Sequence, residues 1–193
     1  MGNLNIPELV ISRADDISAL ESFECGIAPM DCFIKNKHSG LLQYIRSGLT
    51  NLWIVRMGTD VAAMFALSKS SLILNSDDQR VLSESGQSIV ENIFDSRDSY
   101  PAIEIDYLAV DKKYQRQNLG AFIISSIIEQ IKKDKLSATM FLTVEAYQSA
   151  DYSAKSFYLK TGFRLSEYGI IKNLNIQRYG DKPMTVRMYR PLF

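Results

Sequence analysis

The segment Glu104–Ile131, with the sequence EIDYLAVDKKYQRQNLGAFIISSIIEQI, decides the fold of this chain. Its first part, residues 103–110, is rich in Ile, Leu, Val and Tyr and stops at Asp111, which predicts a buried strand. Apolar residues then recur at spacings of three and four, which predicts an amphipathic helix over about residues 118–133. These apolar residues are Leu119, Phe122, Ile123, Ile127, Ile128 and Ile131.

The turn between this strand and this helix has the sequence YQRQNLG, residues 114–120. A helix start leaves about four backbone N–H groups unpaired and carries a partial positive charge. Such a helix start, entered from a strand through a permissive backbone, is a ready site for an anion, most often phosphate. The residues by themselves leave two alternatives open, a phosphate site and a plain structural turn.

The same stretch resembles motif A of the GNAT superfamily of N-acetyltransferases, whose pyrophosphate loop has the pattern Gln/Arg-x-x-Gly-x-Gly/Ala. The pattern falls on Gln115, Asn118 and Gly120, with Asn118 in place of the first glycine. Asn tolerates a left-handed backbone better than other residues with a side chain, so the departure weakens the match without breaking it.

The resemblance to motif A implies that acetyl-CoA lies along the strand and that its pyrophosphate binds the main chain of residues 115–121. It implies that Leu108 and Val110 hydrogen-bond the pantetheine arm through their backbones. Two interpretations of the Arg116 side chain stay open, namely contact with a phosphate and a solvent-facing position in the turn. The cofactor-binding residues implied here are Leu108, Ala109, Val110, Gln115, Arg116, Gln117, Asn118, Leu119, Gly120 and Ala121.

A second stretch, DYSAKSFYLKTGF at residues 151–163, resembles motif B of the same superfamily. The motif B pattern is Asn/Asp-x-x-Ala-x-x-Phe-Tyr-x-x-x-Gly-Phe, and Gly162 falls where a left-handed helix cap is expected. The resemblance implies that Ala154 and Phe157 contact the cofactor. The matching positions are Asp151, Ala154, Phe157, Tyr158, Gly162 and Phe163.

Two residues are candidates for catalysis. The resemblance places the Tyr158 hydroxyl near the cofactor sulfur, where a phenol, with a pKa near 10, holds a proton for the leaving thiolate; the alternative is a core aromatic. Glu104 matches the catalytic glutamate that histone-type GNAT enzymes carry at this point of the strand, and the alternative is a strand-entry residue paired with a cation. Asp106, on the same face of the strand, is the second candidate for the base.

The rest of the chain predicts an α/β (α+β) fold, namely the GNAT acyl-CoA N-acyltransferase fold with a mixed, mostly antiparallel sheet flanked by helices. Helices are predicted over residues 16–24, capped by Asp15 or Asp16, and from Pro29 to about residue 47. Further strands are predicted at Leu9–Ile11, 51–56, 61–74, 138–144, 164–171 and 184–189.

The N-terminal part has its own resemblance. Phe23-Glu24-Cys25-Gly26, Met30-Asp31-Cys32-Phe33-Ile34 and Phe65-Ala66-Leu67-Ser68 are similar to segments of the GNAT toxins, whose substrate is the amino group of a charged tRNA. Lys+Arg and Asp+Glu are equal at 22 each, so the formal net charge is zero. This balance does not favour tRNA, since neutralising phosphates normally supplies nucleic-acid affinity.

Composition limits the remaining choices. We expect one domain over residues 1–193, with a polar insertion at about 75–101. One histidine, His38, and two cysteines, Cys25 and Cys32, predict neither a metal site nor a disulfide framework, and together with an N-terminus unlike a signal peptide they favour a cytoplasmic protein without membrane contact. A homodimer is left open.

The sequence therefore predicts an acetyl-CoA-dependent N-acetyltransferase in which a primary amine attacks the thioester directly in a ternary complex. Two alternatives stay open. One is toxin-like acetylation of aminoacyl-tRNA, and the other is a CoA-binding module without catalysis in which Asn118 has altered the loop.

Overall fold

The computed structural model describes residues 9–74, 79–80, 82, 99–134, 136–149, 151–166 and 184–193. These residues form two compact units. The first comprises Met1–Ser68 with Ile105–Gln130, and the second comprises Lys69–Glu104 with Ile131–Phe193. The boundary passes through two strands and one helix, so each unit contains part of all three.

Four strands build the sheet of the first unit, in the order β1-β2-β3-β4. β1 pairs antiparallel with β2, with Leu9 opposite Met57, and β2 pairs antiparallel with β3 around a turn at Gly58. The predicted first strand and hairpin are thus confirmed. The strands are β1 (Leu9–Ala14), β2 (Asn51–Met57), β3 (Asp60–Leu72) and β4 (Tyr100–Val110).

The prediction of one helix from Pro29 to about residue 47 is wrong, because two helices, α1 (Ala28–Lys35) and α2 (Leu41–Arg46), occupy this segment. The Asn36 side chain accepts hydrogen bonds from the backbone N–H groups of His38 and Ser39, at 2.9 and 3.0 Å, which turns the chain out of the helix. Gly40 then passes so close to α1 that a Cβ there would lie 2.1 Å from the Phe33 carbonyl oxygen.

The helix predicted over residues 16–24 is also wrong. Only a single 3-10 turn, Ser18–Leu20, forms there. Asp16 accepts hydrogen bonds from both the backbone N–H and the hydroxyl of Ser18, at 2.9 and 2.7 Å. These bonds close a local turn, and Leu20 and Phe23 then enter the core without a continuous helix.

The predicted central helix is confirmed as α3 (Leu119–Lys133). Its apolar face buries Leu119, Ile123, Ile124 and Ile127. The core of the first unit combines side chains from β2, β3, β4, α1, α2 and the segment after β1. Its buried members are Ile17, Leu20, Phe23, Cys25, Ile34, Leu41, Leu42, Leu52, Ile54, Met64, Ala66 and Ala109.

The second unit contains the ends of β3, β4 and α3 that lie beyond the first unit. Its further elements are β5 (Phe141–Gln148), α4 (Lys155–Lys160), β6 (Arg164–Leu165) and β7 (Met184–Pro191). The strand order is β4-β5-β7-β6, and β7 is antiparallel to both β5 and β6. Its core includes Leu72, Leu74, Leu82, Tyr100, Ala102, Phe141 and Tyr189.

The strand predicted at residues 138–144 is shifted in the structure. β5 begins at Phe141, and its pairing with β7 continues to Gln148 opposite Met184. Main-chain pairing holds Tyr147 and Gln148 in the ladder although their side chains are polar, so the strand outlasts the apolar run. Most of the insertion predicted at about 75–101, and the part of the predicted 164–171 strand beyond Ser166, lie outside the described residues.

Replacing Gly40 with alanine should destabilise the protein by about 3 kcal/mol, because the new methyl group would overlap carbonyl oxygens of α1 and of Asn36. Urea unfolding followed by circular dichroism measures this change. Gly48→Ala is the matched control: Gly48 has a φ of +72° and no atom within 4 Å of its built Cβ, so only the backbone cost of about 1 kcal/mol applies. Equal losses in the two variants would contradict the packing explanation.

Candidate active site

The loop between β4 and α3 exposes residues 115–118 to solvent and contains two left-handed residues that are not glycine. Arg116 has a φ of 60° and Asn118 a φ of 64°. The left-handed conformation expected for Asn118 is therefore present. The left-handed conformation of Arg116 was not predicted from the sequence. Alternation of left-handed and ordinary backbone makes a concave row of amide N–H groups of the kind that binds anions, here at the start of a 15-residue helix.

The Gln115 side chain stabilises this loop from within. Its Nε2 donates to the carbonyl oxygens of Cys25 and Val110, at 2.8 and 2.9 Å. Because the amide nitrogen is committed to these two acceptors, the contribution of Gln115 to an anion site falls to its main chain. The resemblance to motif A indicated the position of Gln115 but not its hydrogen bonds to the Cys25 and Val110 carbonyl oxygens.

Asp111 is a second stabilising residue, and the sequence interpretation used it only as the end of a strand. It is 7% exposed, and its carboxylate accepts hydrogen bonds from the backbone N–H groups of Lys113 and Glu24, at 3.0 and 3.1 Å. Lys112 N–H in turn donates to the Glu24 carbonyl oxygen at 2.9 Å. An aspartate directly after an apolar strand is typical of a turn cap, and that signal was available in the sequence.

The N-terminal segment that resembles GNAT toxins is held beside this loop. Asp31 accepts hydrogen bonds from the backbone N–H groups of Cys25 and Gly26, at 2.8 and 3.0 Å. Burial raises the pKa of the Cys25 thiol to about 11, so this cysteine is a neutral packed side chain at pH 7. Cys32 is exposed, and the two cysteines are unpaired.

Several predicted cofactor residues point their side chains into the core. Ala109 is 4% exposed and Leu119 is 2% exposed. For these two residues only the backbone is left to meet a ligand. Leu108, Val110, Gly120 and Ala121 are half-buried, which suits a strand edge and helix start that present main-chain groups outward.

Tyr158 lies in the second unit, on α4, and is 5% exposed. Its ring packs edge-on against Phe157 and Phe163, with centroids 5.0 and 5.2 Å apart. Burial, with a smaller contribution from Tyr152, raises the pKa of Tyr158 well above that of an ordinary phenol. The hydroxyl is therefore protonated at neutral pH, as a proton donor must be.

Ala154 and Gly162 determine the two ends of α4. The Ala154 carbonyl accepts from the N–H groups of Phe157 and Tyr158, at 3.1 and 3.2 Å, and the Ala154 N–H donates to the Tyr147 carbonyl of β5 at 3.0 Å. Gly162 has a φ of 85°, which confirms the predicted left-handed cap. The motif B residues thus fix the position of α4 and with it the buried Tyr158 side chain.

Glu104, also in the second unit, forms an ion pair. Its Oε2 accepts from the Ser70 hydroxyl at 2.9 Å and from Arg187 Nη1 at 3.1 Å. The alternative interpretation of Glu104 was a strand-entry residue paired with a cation, and Arg187 is such a cation. The Glu104 side chain keeps 18% of its surface exposed.

Asp106, the second candidate for the base, belongs to the first unit. Its two carboxylate oxygens accept from the hydroxyls of Thr50 and Ser68, at 2.5 and 2.8 Å. Glu104 differs from Asp106 in that its two hydrogen bonds, from Ser70 and Arg187, both reach one oxygen, Oε2.

The residues that the structure describes contain neither a metal-binding cluster nor a membrane-spanning helix. Among them, no group of three or more His, Cys, Asp and Glu side chains could hold a metal ion. No helix in the described ranges is long and apolar enough to cross a membrane.

Comparison with protein families gives one clear match. A family model described as an acetyltransferase (GNAT) domain matches residues 69–173, which is more than half of the 193-residue chain. No curated protein matches the sequence directly.

Solved structures resemble the chain over nearly its whole length. AtaT in complex with acetyl-methionyl-tRNAfMet shares 20% identity at a TM-score of 0.64, over 95% of this chain and 94% of that one. A mutant of KacT shares 20% identity at a TM-score of 0.65, over 96% of this chain and 95% of that one. A mutant AtaT toxin bound to the C-terminus of the antitoxin AtaR shares 18% identity at a TM-score of 0.63, over 96% of this chain and 94% of that one. At these identities the likeness shows a common fold.

Substitutions at Asn118 should separate backbone conformation from side-chain chemistry. Asn118→Gly should leave stability unchanged or slightly increased, because glycine adopts a φ of 64° without strain. Asn118→Val should lower the free energy of unfolding by about 2 kcal/mol, since a β-branched residue resists the left-handed backbone conformation. Thermal unfolding of the two variants measures the difference. A valine variant as stable as the glycine variant would show that the loop does not need the left-handed backbone.

Proposed function

Because the chain belongs to the GNAT acetyltransferase family, we propose that it moves the acetyl group of acetyl-CoA to a primary amine by direct attack within a ternary complex. The observation that carries this proposal is the exposed loop at residues 115–118, with left-handed Arg116 and Asn118 at the start of α3. Such a loop presents backbone N–H groups to a pyrophosphate.

The residues that would bind the cofactor belong to the first unit. Backbone groups of Leu108 and Val110 bind the pantetheine arm, and the amides of residues 115–121 bind the pyrophosphate. The donor that stabilises the tetrahedral oxyanion is a backbone N–H of β4. The side chains of Asp111 and Gln115 keep the loop in this shape through the hydrogen bonds described above.

The transfer of the acetyl group is accompanied by proton transfer from the amine and proton transfer to the leaving thiolate. The amine gives up a proton to Glu104, directly or through water, and its nitrogen attacks the thioester carbonyl carbon. The tetrahedral intermediate then collapses, the carbon–sulfur bond breaks, and the sulfur leaves with the electron pair. Tyr158, whose hydroxyl is protonated at neutral pH, gives its proton to the departing thiolate, and takes back through water the extra proton that the nitrogen of the intermediate still carries.

Acceptors of two classes are consistent with this site. Our main proposal is a small-molecule or protein amine. The fold likeness to AtaT bound to acetyl-methionyl-tRNAfMet favours aminoacyl-tRNA as the second candidate. Ion pairs on the first unit weaken the second candidate, because Lys35, Lys37 and Lys112 lie 3.9, 3.6 and 3.2 Å from glutamate oxygens and so offer less positive field to phosphates.

A homodimer and a cytoplasmic location stay predictions alongside the acceptor. The rival without catalysis is a module that binds CoA but turns nothing over. Loss of rate without loss of cofactor affinity in a single-residue variant separates the enzyme from this rival.

Tyr158→Phe should lower kcat by about 100-fold while leaving the Kd for acetyl-CoA within about twofold, since only the proton donor is removed. Thiol release and calorimetric titration of acetyl-CoA measure the two quantities. Tyr189→Phe is the matched control, because Tyr189 is equally buried in the same unit and its ring packs on Phe141. Equal kcat in Tyr158→Phe and the unmodified protein would exclude the tyrosine as acid.

The acceptor class should be decided by thiol release over a panel that contains polyamines, aminoglycosides, peptides with free N-termini and charged initiator tRNA. A small amine or peptide should support turnover with a KM that changes little between 50 and 200 mM salt. Turnover on charged tRNA alone, with a KM that rises steeply over the same range, would instead support the second candidate.

A further inference from the structure

We propose that Arg187 is a positioning residue for Glu104: it holds one oxygen of the carboxylate and leaves the other for the acceptor's proton. This inference rests on the proposed function, in which Glu104 is the base. All the residues concerned belong to the second unit.

The Arg187 guanidinium links β7 to the two strands that enter this unit from the first. Its Nη1 donates to Glu104 Oε2 on β4 at 3.1 Å. Its Nη2 donates to the Ser70 hydroxyl on β3 at 3.3 Å and to the Ser71 carbonyl oxygen at 3.2 Å. The fork of the guanidinium therefore fixes Glu104 and its hydroxyl neighbour at the same time.

The hydrogen bonds to Glu104 are unequal between its two oxygens. Within the described part of the chain, Ser70 and Arg187 both donate to Oε2, and Oε1 accepts no hydrogen bond. Oε1 is therefore the oxygen left for an incoming proton, and 18% of the side chain as a whole is exposed. An unconstrained carboxylate would rotate and present either oxygen, so this arrangement removes a rotational choice from the reacting group.

Arg187 is itself held in place by Glu145 on β5. The two residues are directly opposite each other in the antiparallel pairing of β5 and β7, and Arg187 Nη1 lies 3.6 Å from Glu145 Oε1. Opposite charges in such a cross-strand position attract. Arg187 is only 24% exposed, which limits solvent screening of both ion pairs.

In the reaction the acceptor's N–H bond breaks, its proton bonds to Glu104 Oε1, and the electron pair stays on the nitrogen that attacks the thioester. The product leaves with Glu104 neutral, and water removes the proton before the next turnover. Arg187 makes no contact with the reacting atoms in this scheme. Its whole effect passes through Glu104, which makes the inference testable by a double-mutant cycle.

The experiment measures kcat, the KM for acetyl-CoA and the melting temperature of Arg187→Met, Glu104→Gln and the double variant. Each single variant should lower kcat by about 100-fold. Adding Arg187→Met to Glu104→Gln should lower kcat by less than about twofold more, because the carboxylate through which Arg187 acts is already gone. The KM for acetyl-CoA should stay within about twofold in all variants.

Two further variants keep the test decisive if Arg187→Met folds poorly. Arg187→Lys should recover part of the lost kcat, since it restores the charge without the fork. Ser70→Ala removes the other donor to Oε2 and should lower kcat by about tenfold in the unmodified background and not in Glu104→Gln.

Multiplicative losses in the double variant would overturn the inference, because they would show a purely structural ion pair. An unchanged kcat in Glu104→Gln, with thiol release intact in the unmodified protein, would also overturn it and would leave the acetyl transfer itself standing. Absence of thiol release from the unmodified protein would instead overturn the proposed function.

Discussion

The left-handed backbone at Arg116 and Asn118 is the constraint on which the proposed cofactor site depends. A residue with a side chain adopts this conformation at a cost of about 1–3 kcal/mol, so it persists only where its surroundings determine it. Here the surroundings are hydrogen bonds. Asp111 caps the turn before the loop, and Gln115 joins the loop to the end of β4 through the Val110 carbonyl oxygen.

These hydrogen bonds also give the N-terminal segment a role in the fold. The backbone of Glu24 and Cys25 meets Asp111, Lys112 and Gln115 through three hydrogen bonds between 2.8 and 3.1 Å. Asp31 then holds the same segment from α1. The residues that resemble the GNAT toxins therefore support the loop, which gives this part of the resemblance a structural explanation independent of the acceptor.

Much of the fold could be predicted because it follows from short-range patterns. The apolar run of β4 and the periodicity of α3 identify the strand, turn and helix at the centre of the sequence. Gly162 marks the end of α4 at the expected left-handed position. The break between α1 and α2 could not be predicted from periodicity, because it depends on the Asn36 turn and on contact between Gly40 and the Phe33 carbonyl. The pairing of Glu104 with Arg187 spans 83 positions and needs the sheet to exist first.

Binding of acetyl-CoA by the intact chain tests the central claim most directly. The melting temperature should be measured with and without acetyl-CoA, with inorganic pyrophosphate as a second ligand and CoA-free buffer as the control. At about 100 times its Kd, acetyl-CoA should add roughly 2.7 kcal/mol to the free energy of unfolding and raise the melting temperature clearly. No shift at millimolar acetyl-CoA would contradict the assignment of residues 115–121 as a cofactor loop and leave only the shared fold.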